Sequence, residues 1–301
     1  MQYVNEMIAA MTKDGLIVDN LICDELLHRV PTSAKPNQKD GYYVAFSGGS
    51  SVYYGNWITG VEKAHSFQTN VIARDNSLAL RAARAAYKEA QLKKQLASAK
   101  QCRTQWDNAF TALTHPYLIR KQINPSTIRV DKHNNLLVPI MDQQGQLINL
   151  QYIRAEGNKR FNTGGRVKGG ALQLGTLAEQ TTLLVCEGYA TGCSLHEATG
   201  LPVVVAFNAG NLESVCIRVK QVNPRLRIIL CADNDHQTKV KTGHNIGLEK
   251  AQSIADKINV QVLWPKFDSE NSGSDFNDIH CQFGLEILRS MLLSAINGGA
   301  K

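Results

Sequence analysis

The sequence predicts an α/β fold: a parallel sheet flanked by helices, preceded by a basic antiparallel β subdomain, a long helical segment and a small N-terminal β unit. Three observations lead there. From Thr181 onward the apolar runs TLLVCE, LPVVVAF, RLRIILCAD and VQVLW alternate with helical stretches such as NLESVCIRVKQV and IGLEKAQSIADKI. That is the pattern of strands buried on both faces and joined by right-handed crossovers. Upstream, IRVD, NLLVPIM, QLINLQYI and KRFN are separated by turn signals such as DQQGQ and AEGN, which reads as an antiparallel meander. Earlier still, residues 76–113 are strong helix formers without an internal Gly or Pro and should form one long helix or two in succession.

Taken in order, residues 1–70 should form the small β-rich unit, because GYYVAF and SVYYGNW flank the turn SGGS as an aromatic hairpin would. Residues 71–121 form the basic helical segment. Between Leu80 and Lys121 nine Lys or Arg (81, 84, 88, 93, 94, 100, 103, 120, 121) stand against Glu89 and Asp107, a solvated face or a nucleic-acid contact. Residues 122–178 hold the basic antiparallel β subdomain, 179–268 the parallel-sheet domain, and 269–301 an acidic loop with a C-terminal helix containing LEILRSMLL.

Composition narrows the classes. The 301 residues, 43% of them hydrophobic, can bury a large core, and 33 Lys or Arg against 26 acids give +7, a balance that suits a polyanionic partner. Seven cysteines lie scattered without a CxxC pair and read as reduced core thiols. No uninterrupted apolar run approaches 18 residues and no signal-peptide pattern opens the sequence, so a soluble, cytoplasmic protein without membrane contact is expected. There is no GxGxxG after the first parallel strand and no GxxxxGK[ST]. Neither a nicotinamide or flavin fingerprint nor a P-loop is available, and ATP-driven work would need another chain.

The chemistry concentrates at strand ends. In LLVCEGYATG, Glu187 should lie at the C-terminal end of a strand, with Gly188 and Thr191 giving a turn and a helix N-cap, and Gly200 closing that helix. Ligands of open parallel sheets bind outside such strand ends, although a glutamate there can also be a solvated turn residue. The third strand ends in IILCADND, so Asp233 and Asp235 project from the same side of an extended segment, close enough to share a hard cation such as Mg²⁺ or Mn²⁺. If strands one and three are neighbours, Glu187 joins them. In SDFNDIH, Asp275 and Asp278 are either further metal ligands or caps of the terminal helix. His236, His244 and His280 have no spacing that suits zinc. Arg154, Lys159, Arg160, Arg166 and Lys168, interleaved with glycines, form an anion-binding stretch or a mobile basic loop. Tyr189 reads as packing or an ordinary turn residue.

EGYATG followed by a strand ending in ADND resembles the Toprim domain shared by DnaG-type primases, topoisomerases and some nucleases. More closely, EGYATG is similar to the EGYATA-type motif of primases from conjugative plasmids and satellite phages, as are TGHNIGLEKA, SDFNDIH and YIRAEGNKRFNTGGRVKGG. The resemblance implies a DNA primase, a nucleotidyltransferase joining ribonucleoside triphosphates on a single-stranded DNA template, with a separate replicative helicase as a further partner. It implies Glu187, Asp233 and Asp235 as catalytic and metal residues with Mg²⁺ or Mn²⁺, and Asp275 and Asp278 as further metal residues. Arg154, Lys159, Arg160, Arg166 and Lys168 would bind nucleotide and template. The alternatives are a Toprim-type metal-dependent nuclease and a non-catalytic nucleic-acid-binding Toprim module. Two departures from the DnaG-like pattern stand out: Thr191 occupies a position where an acid is often found, and no cysteine pairing would build a zinc-binding module.

Overall fold

The computed structural model describes residues 3–46, 51–56, 61–66, 72–178, 180–236, 245–268 and 271–298. The SGGS turn, Trp57, His244 and the TGH of TGHNIGLEKA lie outside them. The chain divides into two compact units, residues 1–93 and 94–301.

In the first unit, α1 (Val4–Lys13) is followed by β1 (His28–Val30), β2 (Gly41–Ala45), β3 (Ser51–Asn56) and β4 (Val61–Ser66). The expected hairpin is present: β2 and β3 pair antiparallel from Gly41↔Asn56 to Ala45↔Val52. Its neighbours β1 and β4, which the sequence did not announce, complete a four-stranded sheet in the order β1-β2-β3-β4. Met7 and Met11, one helical turn apart and so on one face of α1, are fully buried with Tyr43, Val52 and Tyr54.

Helix α2 (Ile72–Asp107) is continuous over 36 residues. It stops short of Leu113 because Phe110 and Thr111, as β5 (Phe110–Thr111), pair with Val130 and Arg129. Two of its cations are held in i,i+4 pairs, Lys93 with Glu89 at 2.7 Å and Arg103 with Asp107 at 3.1 Å, the bonding of a solvated helix face.

The second unit contains α3 (Pro116–Arg120) and the meander β6 (Arg129–Val130), β7 (Leu136–Met141), β8 (Leu147–Ile153) and β9 (Lys159–Phe161). With β5 these form an antiparallel sheet in sequential order. Then follow β10 (Leu172–Leu174), β11 (Thr182–Cys186), α4 (Tyr189–Thr199), β12 (Val203–Val205), α5 (Ala209–Val222), β13 (Arg227–Cys231), α6 (Ile246–Ile258), β14 (Gln261–Leu263), α7 (Phe276–Phe283) and α8 (Leu285–Gly298). The second sheet runs β10-β12-β11-β13-β14. Its last four members are parallel to their neighbours, as expected, and β10 closes the edge antiparallel to β12.

Strand alternation explains why the apolar runs are uninterrupted. Leu184 and Cys186 of β11, with Ile229 and Cys231 of β13, pack on the side of α4, α7 and α8, while Leu183, Val185, Ile228 and Leu230 pack on the side of α5. Each such Leu, Val or Ile contributes roughly 1.5–3 kcal/mol when removed from water, so every buried position of these two strands, 183–186 and 228–231, is apolar. All seven cysteines are free thiols and five are buried. Among the described residues, no helix is long and apolar enough to cross a membrane.

Candidate active site

The order β12-β11-β13 places the switch in crossover direction between β11 and β13, where open α/β sheets leave a crevice beyond their C-terminal ends. Parallel pairing aligns Cys186 with Cys231, so Glu187 and the Ala232–Asp233 segment leave adjacent strands side by side. Gly188 starts α4 in an extended conformation, and Gly200 ends it at φ 70°, the left-handed cap that glycine adopts without strain. Gly192 is required by packing: a Cβ there would lie 2.6 Å from Val205 Cγ2. Thr191 is not the N-cap. Gly188 takes that place and Thr191 is inside the first turn, 1% exposed, because the chain turns into the helix directly after Glu187.

The ADND segment is held open from both sides by its central asparagine. Asn234 donates its backbone N–H to Ser274 O at 2.7 Å and its side chain to Pro265 O at 2.8 Å, while Asn245 Nδ2 donates to Asn234 Oδ1 at 2.8 Å. Asn245 also caps α6 by accepting from Leu248 N–H. A Cβ on Gly247 in the first turn of α6 would come within 3.3 Å of the Asp233 carbonyl oxygen and 3.9 Å of Glu187 Oε1, so the helix start abuts both acidic strand ends. The sequence reading passed over Asn234 and Asn245; an asparagine between two acids and another one residue before a helix were the available signals.

Asp233 is the one carboxylate of this cluster with an orphaned oxygen among the described residues. Its Oδ1 is buried and has no hydrogen-bond partner. Burial, reinforced by Glu187, Asp275 and Asp235 and only partly offset by Lys159, pushes its carboxyl up to about 8. Burial and the charge of Asp235 raise Glu187 as well, against Lys250 and the Ala209 amide. Asp235 itself is exposed. Asp275 is raised by burial and by Asp278, against the pull of Lys121 and of the Thr191 hydroxyl. Four carboxylates thus feel one another at one end of the sheet.

Asp275 and Asp278 also form a capping box at α7: Asp275 accepts from Asp278 N–H at 2.9 Å, and Asp278 Oδ2 accepts in return from Asp275 N–H at 3.3 Å and also from Ser274 N–H at 2.8 Å. Asp278 Oδ1 receives Lys121 Nζ at 3.3 Å. Burial alone would raise Asp278, but these bonds and Lys121 outweigh it and hold the carboxyl below its ordinary value. Both oxygens of Asp278 are committed to structure, whereas Asp275 stands between the cap and the acidic cluster.

The basic stretch is divided by strand alternation. Lys159 keeps exposed surface, lies 5.8 Å over the Tyr117 ring and is lowered by partial burial while Asp275 and Asp233 pull it up. It faces the acids. Arg160, its neighbour on β9, points to the other side of the meander and stacks over Tyr152 at 5.0 Å. Arg166 approaches Asp142 at 3.9 Å, and Arg154 and Lys168 are exposed. His236 hydrogen-bonds Asn271 O at 2.8 Å and stacks on Phe267, and His280 is buried against Ser194. Tyr189 is fully buried, its hydroxyl exchanging 3.0 Å hydrogen bonds with the backbone of Ser126. Both histidines and the tyrosine are packing groups.

Residues 182–286 match the Toprim domain family. This part of the chain is a Toprim domain. The chain as a whole is 28% identical over 279 residues to a DNA primase TraC of Escherichia coli, covering 87% of this chain and 26% of that protein. To a second Escherichia coli DNA primase TraC it is 30% identical over 286 residues, covering 87% of this chain and 19% of that protein. It thus spans about a quarter or less of the length of these relatives. Among solved structures, the primase fragment of the bacteriophage T7 primase-helicase protein superposes with a TM-score of 0.43 at 13% identity, over 88% of this chain and 99% of that one.

The donor set suits a hard divalent cation. Carboxylate oxygens predominate, one buried oxygen on Asp233 is orphaned, and glycine at 247 keeps the rim of the cluster open. Among the described residues, no three His, Cys, Asp or Glu side chains are already drawn together as a metal site, so the acids as arranged are a repelling set rather than a closed cage.

Proposed function

We propose that the chain is the catalytic core of a DNA primase, extending ribonucleotide primers on single-stranded DNA by metal-assisted nucleotidyl transfer. The observation that carries this reading is the orphaned Asp233 oxygen among Glu187, Asp235 and Asp275 at the end of a Toprim sheet. Mutual repulsion of half-buried acids such as Glu187, Asp233 and Asp275 costs stability unless positive charge is supplied. Glu187, Asp233 and Asp235 would hold Mg²⁺ or Mn²⁺, which when bound neutralises triphosphate charge and acidifies the attacking hydroxyl.

The chain's own groups frame the rest. A primer 3′-oxygen attacks the α-phosphorus of a ribonucleoside triphosphate, the new P–O bond replaces the bond to the leaving pyrophosphate, and the hydroxyl proton passes to a Glu187 oxygen. Lys159, facing the acids from β9, binds the charged phosphates, with Arg154, Arg166 and Lys168 as template or nucleotide contacts on the same basic stretch. Similarity to DNA primase TraC supports the substrate class. A replicative helicase as partner and a cytoplasmic setting belong to the same reading.

Incorporation of labelled ribonucleotides on single-stranded DNA with Mg²⁺ or Mn²⁺ tests it. Short primers from the wild-type chain, none after chelation, and a yield lower by about a hundredfold or more from Asp233→Asn are expected. Cleavage of the strand in place of synthesis would identify a nuclease, and binding without either reaction a non-catalytic module.

A further inference from the structure

Behind the meander, on the side opposite Lys159, lies a cavity of about 500 Å³ with Gln105, Asn108, Lys132, His133, Tyr152 and Arg160 in its wall. It falls in the range of small-ligand sites, and every residue of it belongs to the second unit. Tyr152 and Arg160 are cross-strand partners on β8 and β9, which sets the guanidinium carbon 5.0 Å from the ring centroid. The Tyr152 hydroxyl is fixed by Gln105 and by Asn162, the latter at 3.1 Å. Asn162 is anchored in turn to Ser98 on α2 at 2.8 Å. The ring side of this shelf is thus held in place by hydrogen bonds.

What borders it is polar and unspent. Asp131 uses its carboxylate within its own turn, accepting from His133 N–H at 2.9 Å, Asn135 N–H at 2.8 Å and the Asn135 amide. The cations Arg160 and Lys132, by contrast, are exposed and form no ion pair among the described residues, and Asn108, also exposed, makes no side-chain hydrogen bond among them. A planar cation on an aromatic ring, amides able to read a base edge and cations able to hold phosphate are the elements that recognise unstacked nucleotides.

We propose that this pocket binds one unpaired nucleotide, its base stacked on the Arg160–Tyr152 shelf and its phosphate held by Lys132 and the edge of Arg160. The nucleotide comes from a single strand passing behind the meander or from a free nucleotide in solution. Either way the site is separate from the acidic crevice, and the experiment reads binding rather than synthesis, so failure of one reading leaves the other standing.

The test compares wild type with Arg160→Ala, Arg160→Lys and Asn108→Asp, using anisotropy of a labelled oligothymidylate and, separately, calorimetry with ATP. Arg160→Ala should weaken one of the two ligands about tenfold, the scale of a single base–side-chain stack. If the ligand is the strand, the salt slope should also fall by roughly 0.7. Loss confined to the oligonucleotide assigns the site to a strand, and loss confined to ATP assigns it to free nucleotide. Oligonucleotide carrying 4-thiothymidine should cross-link to peptides containing His133 or residues 152–162 in the strand case. Unchanged affinity for both ligands in Arg160→Ala and Asn108→Asp would overturn the proposal. Full restoration by Arg160→Lys would overturn the stacked geometry, since lysine keeps the charge but not the plane.

Discussion

Asp233 and Asp278 lie on two segments that bond to each other through Asn234 N–H and Ser274 O, yet their carboxyls are driven in opposite directions. Asp278 has backbone N–H donors on one oxygen and Lys121 on the other, and stays below its ordinary value despite burial. Asp233 has an orphaned oxygen and three acidic neighbours, and rises to about 8. Burial is common to both. The difference is whether the chain itself completes the carboxylate, and it separates an acid used to build the fold from one left available for a ligand.

The largest expected effect breaks that contrast at its functional end. Asp233→Asn should lower primer synthesis by about a hundredfold or more, the scale of losing a key electrostatic contact to a reacting group, with circular dichroism unchanged. Asp278→Asn should retain synthesis within about tenfold of wild type. Equal losses in the two variants would erase the distinction.

At the structural end the order reverses. Asp278→Asn weakens the capping box and the Lys121 pair and should cost about 1 kcal/mol, a fall in melting temperature of roughly 2–4 °C for a unit of this size. A scan in chelator reads it. The same scan should find Asp233→Asn as stable as wild type or more so.

pH sharpens the comparison further. Asp233 holds its proton in the folded chain up to about 8, while the unfolded chain releases it near 4. Between those values the folded state binds the extra proton, so its stability falls as pH rises. Melting in chelator should therefore show the advantage of Asp233→Asn over wild type growing from pH 5 to pH 8. Asp278, lowered when folded, contributes stability that is present at neutral pH and lost in acid. A constant offset for Asp233→Asn across the range would contradict the burial and repulsion assigned to that carboxyl.

The smallest effect concerns Thr191, which sits between the two cases. Its hydroxyl favours the ionised form of Asp275, so Thr191→Val should raise the Asp275 pKa slightly and shift the acid limb of synthesis toward higher pH. Stability should change by about 1 kcal/mol or less. An unmoved pH profile would show that Asp275 does not share in the chemistry.

Much of this was legible in the sequence because its physics is local. Continuous apolar runs are what strands covered on both faces require, and they fixed the parallel sheet; Glu187 and Asp233 fall at strand ends simply because the apolar residues stop there. Helix α2 followed from propensity; Asp275 and Asp278 read either as metal ligands or as caps of the helix containing LEILRSMLL, and the structure makes them the capping box of the preceding helix, Phe276–Phe283. Contacts between distant segments were a different matter. β10 falls within the stretch 122–178 assigned to the antiparallel β subdomain, yet it pairs with β12 at the edge of the other sheet. Thr191 looked like a cap, but the chain turns into the helix directly after Glu187, so Gly188 is the N-cap and Thr191 lies buried in the first turn. Lys159 and Arg160 are adjacent and equally basic, and nothing in their sequence distinguishes them. The pleat of β9 sends one to the acids and the other to the Tyr152 shelf, because side chains on a strand alternate while charge in a sequence does not.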